Sequence, residues 1–249
     1  MKIATWNVNG IRARHEQFLD WVTAEQPDVV CLQELKAKQE QIPPSICDLE
    51  GYACYWHGEA AYSGVGLHVR RAAFPGEPKF SHPHFDSETR IVQAEIGETT
   101  VASVYVPNGG KDFTAKIAFF RELIAYARSM REAGRQLVIC GDMNIARSEM
   151  DVHPKERKPR AIGQLPEERG MFEELLRDGG LADVGRKLYP ADEEYFSWWA
   201  PWRNMRQRNI GWRLDYVLAS NALAERATAC PSYREIGTSD HAPVVATFE

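Results

Sequence analysis

The stretch Leu137–Cys140 constrains this chain more than any other: four consecutive apolar residues, then Gly141, Asp142 and Asn144. A short apolar run closed by a breaker glycine reads as a buried strand. Polar groups mounted on the end of such a strand face solvent or substrate from a fixed position. Taken alone, Asp-x-Asn at a strand end also describes an Asx turn or a helix N-cap. The choice depends on whether other strands in the chain end in the same way.

They do. Lys2–Trp6 reads as a strand that ends in Asn7-Val8-Asn9-Gly10, and Val29–Leu32 as a second that ends in Gln33-Glu34. Tyr52–Trp56 and Gly64–Val69 are expected to pair around a Tyr62-Ser63-Gly64 turn. Ile91–Ile96 and Thr99–Val106 read as a hairpin through Gly97-Glu98, its second strand ending at Tyr105, Pro107 and Asn108. Gly211–Leu218 is expected to be a strand carrying Asp215, and Ser239-Asp240-His241 precedes a closing strand at Val244–Phe248. Helical spacing is confined to His15–Glu25, Lys116–Met130 and the neighbourhood of Phe172, Leu175 and Leu176.

Many strands, few helices and several hairpins predict an α/β fold of two mostly antiparallel sheets packed face to face, with helices outside. No repeat or linker divides the chain, so residues 1–249 are expected to form one domain. Asp151–Glu168 is the one long irregular insert. Within it the His153–Arg160 segment sets Lys155, Arg157, Lys158 and Arg160 against Glu156.

Composition bounds the function. A hydrophobic content of 44% supplies a large core, and no apolar run is long enough to span a bilayer. The N-terminal segment lacks the pattern of a secretion signal. Five cysteines without a CxxC or Cys/His pattern read as reduced thiols of a cytosolic protein. With a net charge of -5, an anionic partner must be met by local basic charge.

The polar strand ends are rich in oxygen donors and contain one imidazole. Mg²⁺ selects carboxylate and carbonyl oxygens together with waters and substrate phosphate, whereas zinc sites favour thiolates or several histidines. A carboxylate-held Mg²⁺ beside one histidine suits hydrolysis of a phosphodiester.

Six segments together carry a resemblance. Trp6-Asn7-Val8-Asn9-Gly10-Ile11-Arg12, Cys31-Leu32-Gln33-Glu34, Tyr105-Val106-Pro107-Asn108, Gly141-Asp142-Met143-Asn144-Ile145, Gly211-Trp212-Arg213-Leu214-Asp215-Tyr216 and Ser239-Asp240-His241-Ala242-Pro243 occur in that order. The series resembles the exonuclease III family of apurinic/apyrimidinic (AP) endonucleases, within the endonuclease/exonuclease/phosphatase superfamily. The resemblance implies a four-layer α/β sandwich of the deoxyribonuclease I type. It also implies Mg²⁺ as cofactor, with Mn²⁺ as a substitute. The expected substrate is double-stranded DNA with abasic sites or blocked 3′ ends. The protein is expected to be a monomer without membrane association, in bacterial cytoplasm or a eukaryotic nucleus.

The same resemblance assigns roles. Glu34 would be the principal metal ligand, supported by Asn7, with Asp240 a second carboxylate on the metal side. Asp142 would orient or deprotonate the attacking water, and Asn144 would bind the scissile phosphate. Asp215 would fix the tautomer of His241, and Tyr105 would donate to a phosphate oxygen. Asn108 belongs to the substrate-binding set. So do Asn9, where some relatives carry aspartate, and Arg90, which matches an arginine near the site. Trp198, Trp212 and Leu214 match a small apolar pocket for an extruded abasic sugar. Lys111 and Trp202 match positions whose side chains enter the helix. The Asp151–Arg160 and Arg203–Arg213 segments are the expected phosphate-contacting strips. A cousin acting on an inositol phosphate or phospholipid head group, and a non-enzymatic DNA-binding module, are the competing readings.

Overall fold

In the computed structural model, which describes residues 1–59 and 62–249, the Leu137–Cys140 run lies in the middle of a strand covered on both faces. Val138 and Cys140 point into the core between two sheets, while Leu137 and Ile139 point to a second core under helices. Two buried faces explain why the run shows no polar alternation.

One sheet contains β1 (Lys2–Asn7), β2 (Val29–Gln33), β3 (Tyr52–Glu59), β4 (Tyr62–Arg70), β11 (Ala227–Ala229) and β12 (Val244–Phe248), in the order β11-β12-β1-β2-β4-β3. The other contains β5 (Lys79–Ser81), β6 (Ile91–Ile96), β7 (Thr99–Tyr105), β8 (Gln136–Asp142), β9 (Leu181–Asp183) and β10 (Asp215–Ser220), in the order β5-β6-β7-β8-β10-β9. Each sheet has one parallel pair, β1 with β2 and β7 with β8, and is otherwise antiparallel.

Helix α1 (Ile11–Glu25) packs Phe18, Trp21 and Val22 on the first sheet, with the short α2 (Pro44–Cys47) beside it. Helices α3 (Phe113–Glu132) and α4 (Pro166–Gly179) cover the second sheet through Phe120, Leu123 and Phe172. Two short helices, α5 (Val184–Leu188) and α6 (Asn221–Ala224), lie near β9 and β10. The result is the expected four-layer sandwich.

Local expectations need three corrections. Gly141 does not end its strand, because β8 continues through Asp142. At Gly141 a Cβ would sit 1.8 Å from the Val104 carbonyl oxygen, so glycine here permits close approach of β7. Tyr62, Ser63 and Gly64 belong to β4 rather than to a turn, and the β3–β4 connection lies outside the described residues. In the predicted Gly211–Leu218 strand only Asp215 onward joins the sheet. Trp212 instead bridges to Val152 and Trp198.

The topology places the polar strand ends on one rim. β1 with β2, and β7 with β8, run in parallel and finish there. Their antiparallel partners begin there: Asp215 pairs with Asp142, and Val244 with Thr5.

Candidate active site

Each polar residue at this rim is held by the backbone that ends its strand. Asn7 closes β1 fully buried, and its Nδ2 donates to Glu34 Oε1 and to Asp142 Oδ2, both at 2.9 Å. This one amide ties the two sheets together. Just beyond their strands Asn9, Glu34 and Asn144 turn left-handed, with φ of 46°, 53° and 50°. Such geometry is uncommon outside glycine and is retained where side-chain placement requires it. Asp142 Oδ1 accepts from the Asn144 N–H at 2.9 Å, and Asn144 Oδ1 accepts from Asn108 Nδ2 at 3.1 Å.

On the opposite side, His241 Nδ1 lies 2.8 Å from Asp215 Oδ2, and His241 Nε2 lies 3.8 Å from Asp142 Oδ2. Ser197, absent from the sequence expectations, accepts from the Leu214 and Asp215 N–H groups and donates to Asp215 Oδ2 at 2.6 Å. The Ser239 hydroxyl donates to the Asn7 carbonyl at 2.7 Å and accepts from the His241 N–H at 3.2 Å. In this way β12 is registered against β1.

The electrostatics follow from crowding four carboxylates around few cations. Burial pushes the Asp142 carboxyl up. The His241 charge opposes this, Asp215 and Glu34 reinforce it, and the net position is about 7. Burial works against the His241 cation, yet Asp215 and Asp142 hold its pKa up at about 10, so the imidazole is charged at neutral pH. Burial also acts to raise Glu34. Hydrogen bonds from Asn7 and Lys36, together with the His241 charge, outweigh it and keep Glu34 below the usual range. Burial, followed by the charges on Glu34 and Asp142, pushes the Tyr105 phenol well above its ordinary value, so it stays protonated and available as a donor.

Glu34, Asp142 and His241 bring one donor atom each within 4.8 Å of one another. With His241 charged, the carboxylate oxygens of Glu34 and Asp142 are the donors in this set, which fits a hard divalent cation. Asn7 reaches the group through its amide nitrogen, as a carboxylate support. Asp240 does not join the group; its oxygens accept from Asn9 Nδ2 at 2.7 Å and Trp198 Nε1 at 3.0 Å. Lys36, unremarked in the sequence, bridges Glu34 Oε2 at 2.8 Å and Asn9 Oδ1 at 2.6 Å.

Above this floor is a cavity of about 350 Å³. Glu34, Tyr105, Asn108, Asp142, Asn144, Asp240 and His241 form its polar side, and Ile162, Trp198, Trp212 and Leu214 its apolar wall. Trp198 and Trp212 meet edge to face at 5.7 Å. Gly163 comes so close to the Trp212 ring that a Cβ would lie 3.1 Å from it. Ile162, from the irregular insert, was not anticipated. No periodic pattern marks it.

The remaining expected residues flank the cavity. Lys111 lines an adjoining hollow of about 520 Å³ that shares Tyr105 and Asn108. Trp202 is 60% exposed beside another hollow that reaches Asp240. Arg90 is not a free arm. It is 2% exposed, bonded to Glu88 and Tyr62, and its guanidinium lies 4.9 Å from the Tyr105 ring centre.

The expected basic strips also need correction. Arg213 is buried against Asp151 and Asp183 at 2.7–2.8 Å. Arg206 is tied to the carbonyls of Arg234, Ser239 and Ile236. Exposed basic side chains remain at Lys155, Arg157, Lys158, Arg160, Arg203 and Arg208. Behind the site, Lys116, read from sequence only as the start of a helix, is fully buried. It donates to the carbonyls of Asn144 at 2.8 Å and Asn108 at 3.2 Å, and to Glu168.

Residues 4–241 match the endonuclease/exonuclease/phosphatase family. Exodeoxyribonuclease III of Haemophilus influenzae is 34% identical over 273 residues, covering 100% of this chain and 100% of that protein. The chain belongs to the endonuclease/exonuclease/phosphatase family. Two structures of similar fold are an AP endonuclease from Archaeoglobus fulgidus and a 3′ phosphatase, NExo, from Neisseria bound to a product DNA hairpin. The first has a TM-score of 0.90 at 29% identity and the second 0.89 at 32%; each comparison covers 100% of this chain and 99% of the other. The family's nucleases depend on a divalent metal, and the acidic rim of this member offers the donors for one.

Proposed function

We propose that the chain is a Mg²⁺-dependent DNA repair nuclease that hydrolyses the phosphodiester 5′ to an abasic site. It also removes 3′ phosphates and phosphodiesters, and degrades DNA from the 3′ end. One observation carries this reading: a set of hydrolytic groups and an apolar tryptophan wall share one cavity of about 350 Å³. The exodeoxyribonuclease, AP endonuclease and 3′ phosphatase named among its relatives support it.

Glu34 would hold the metal, steadied by Asn7, while Asp240, bonded to Asn9 and Trp198, adds negative charge from outside the donor group. Mg²⁺ bound there, or Mn²⁺ in its place, would offset charge on the phosphate and the leaving oxygen. Asp142, with a pKa of about 7, is matched to accept a proton from water at neutral pH. Asn108 Nδ2 gives one N–H to Asn144 Oδ1 and has a second for a phosphate oxygen, while Asn144, whose Nδ2 now donates to the Val106 carbonyl, would turn that amide to the phosphate when substrate enters. Charged His241, fixed by Asp215, neutralises a phosphate oxygen. The Tyr105 phenol donates a hydrogen bond beside it, and Arg90 keeps that ring in place.

Selectivity comes from the apolar wall. Trp198, Trp212 and Leu214 would pack against a bare sugar, and a missing base lowers the cost of extrusion. Asn9 holds Asp240 in place, while Lys111 and Trp202 flank the duplex. A monomer suffices, since every group named belongs to one chain. An inositol-phosphate hydrolase would need a cationic pocket for several phosphates, and the wall over this site is apolar.

The test is a gel assay on a duplex with one internal tetrahydrofuran abasic analogue, with and without EDTA, alongside an inositol polyphosphate. Incision 5′ to the lesion, leaving a 3′ hydroxyl and abolished by EDTA, is expected. Turnover of the inositol polyphosphate in place of the duplex would overturn the reading.

A further inference from the structure

Away from the catalytic rim, a second group of donors converges where β3 meets the loop between β5 and β6. His57 Nε2 lies 2.5 Å from Asp86 Oδ2, and the His57 and His82 rings lie 3.9 Å apart at a tilt of 34°. One donor atom from each of the three residues lies within 4.8 Å of the others.

The other atom of two of these groups is already anchored to backbone. Asp86 Oδ1 accepts from the N–H groups of Arg90 at 2.9 Å and Ile91 at 3.1 Å. His82 Nδ1 faces the Ile91 carbonyl at 3.3 Å, which makes Nδ1 the protonated nitrogen and leaves the lone pair on Nε2. Metal-binding histidines are oriented in this way, with the second ring nitrogen donating to a carbonyl or carboxylate. The Tyr55 hydroxyl now holds the Nε2 lone pair at 2.8 Å.

Asp86 holds His57, Tyr55 and the Ile91 carbonyl hold His82, and the two rings so held meet at 3.9 Å. Two rings this close repel if both are protonated, whereas coordination requires both to be neutral. The side chains of His57 and Asp86 are 22% and 13% exposed, so an ion can reach them.

The geometry points to a second cation site, formed by His57, His82 and Asp86, that takes a transition metal of the Zn²⁺ class with solvent completing the shell. Imidazole nitrogen selects such ions over Mg²⁺, the reverse of the preference at the oxygen-rich catalytic rim. Bonds of about 2.1 Å would set the donors about 3.4 Å apart. The His57–Asp86 pair, now at 2.5 Å, would open to admit the ion, and Tyr55 would yield the His82 lone pair. The bound ion staples the edge of one sheet to the edge of the other. Asp86 also fixes the N–H of Arg90, which stacks on Tyr105, so the staple steadies the loop behind the catalytic phenol.

The experiment is equilibrium dialysis of full-length chelator-stripped protein against Zn²⁺ with millimolar Mg²⁺ present, followed by metal analysis. One zinc equivalent per chain is expected for the parent and for Glu34→Gln. The His57→Ala/His82→Ala variant should lose it while keeping Mg²⁺-dependent incision, which reports that it is folded. Tyr55→Phe, lacking the competing hydroxyl, should bind zinc at least as tightly as the parent. Equal zinc in the parent and the double histidine variant, or loss of zinc in Glu34→Gln, would overturn the assignment.

Discussion

Lys116→Met tests whether a buried ion pair sets the position of the loops that carry Asn108 and Asn144. The Lys116 and Glu168 side chains are both 0% exposed, so no solvent screens a charge left behind. Removing one partner of a buried pair destabilises by about 3–5 kcal/mol. At about 2–4 °C per kcal/mol for a domain of this size, the melting temperature should fall by about 6–20 °C.

A functional loss accompanies it, because the carbonyls of Asn144 and Asn108 lose their shared donor at 2.8 and 3.2 Å. The assay is thermal unfolding followed by circular dichroism, paired with kcat and DNA affinity measured well below the transition. Turnover should fall while affinity holds. In Lys116→Met/Glu168→Gln the stranded charge is gone, and the glutamine still accepts from the Gly163 and Leu165 N–H groups. That variant should recover about half of the loss, since what remains is lost hydrogen bonds at about 1 kcal/mol each. A single variant melting within about 2 °C of the parent would refute the reasoning. So would a double variant no more stable than the single.

Glu34→Ala should lower Mg²⁺-dependent incision at least about a hundredfold, as metal stabilisation of the transition state is worth several kcal/mol; turnover near the parent's in a metal titration would remove its assigned role. Asp142→Asn and His241→Ala should reduce kcat far more than DNA affinity, and equal losses in both would indicate a damaged fold instead. Trp212→Ala should lower abasic-site incision about tenfold more than removal of a 3′ phosphate, and parallel losses in the two assays would rule out the sugar-binding wall. Stability should also depend on pH through His68, which is buried between Phe18 and Trp56. Burial lowers its pKa from 6.5 to about 3, so its neutral form is favoured on folding and stability is complete above pH 6.5. As pH falls from 6.5 toward 3 the unfolded chain binds the extra proton, at a loss of about 2 kcal/mol by pH ~5. Urea denaturation across this range should show the loss in the parent and a flatter slope in His68→Leu; identical slopes would exclude His68 as its source.

The sequence by itself determined the layered α/β architecture and the polar strand ends that share one rim. Short apolar runs define strands, and polar groups recur at their ends: Asn7, Glu34, Tyr105, Asp142, Asp215 and His241. Strand ends can be read locally because backbone geometry fixes which end of a strand a residue occupies. Only the tertiary structure decided which side chains meet. Ser197 beneath Asp215, Lys36 against Asn9, and Lys116 beneath Asn144 are contacts between segments distant in the chain, and no spacing in the sequence announces them. The same holds for what a charge is for. Arg90, Arg206 and Arg213 read as cations available to a phosphate, and burial instead commits them to Tyr105, to backbone carbonyls and to Asp151 with Asp183. A guanidinium withdrawn from water must be paired, and its partners lie wherever the fold brings carboxylates and carbonyls.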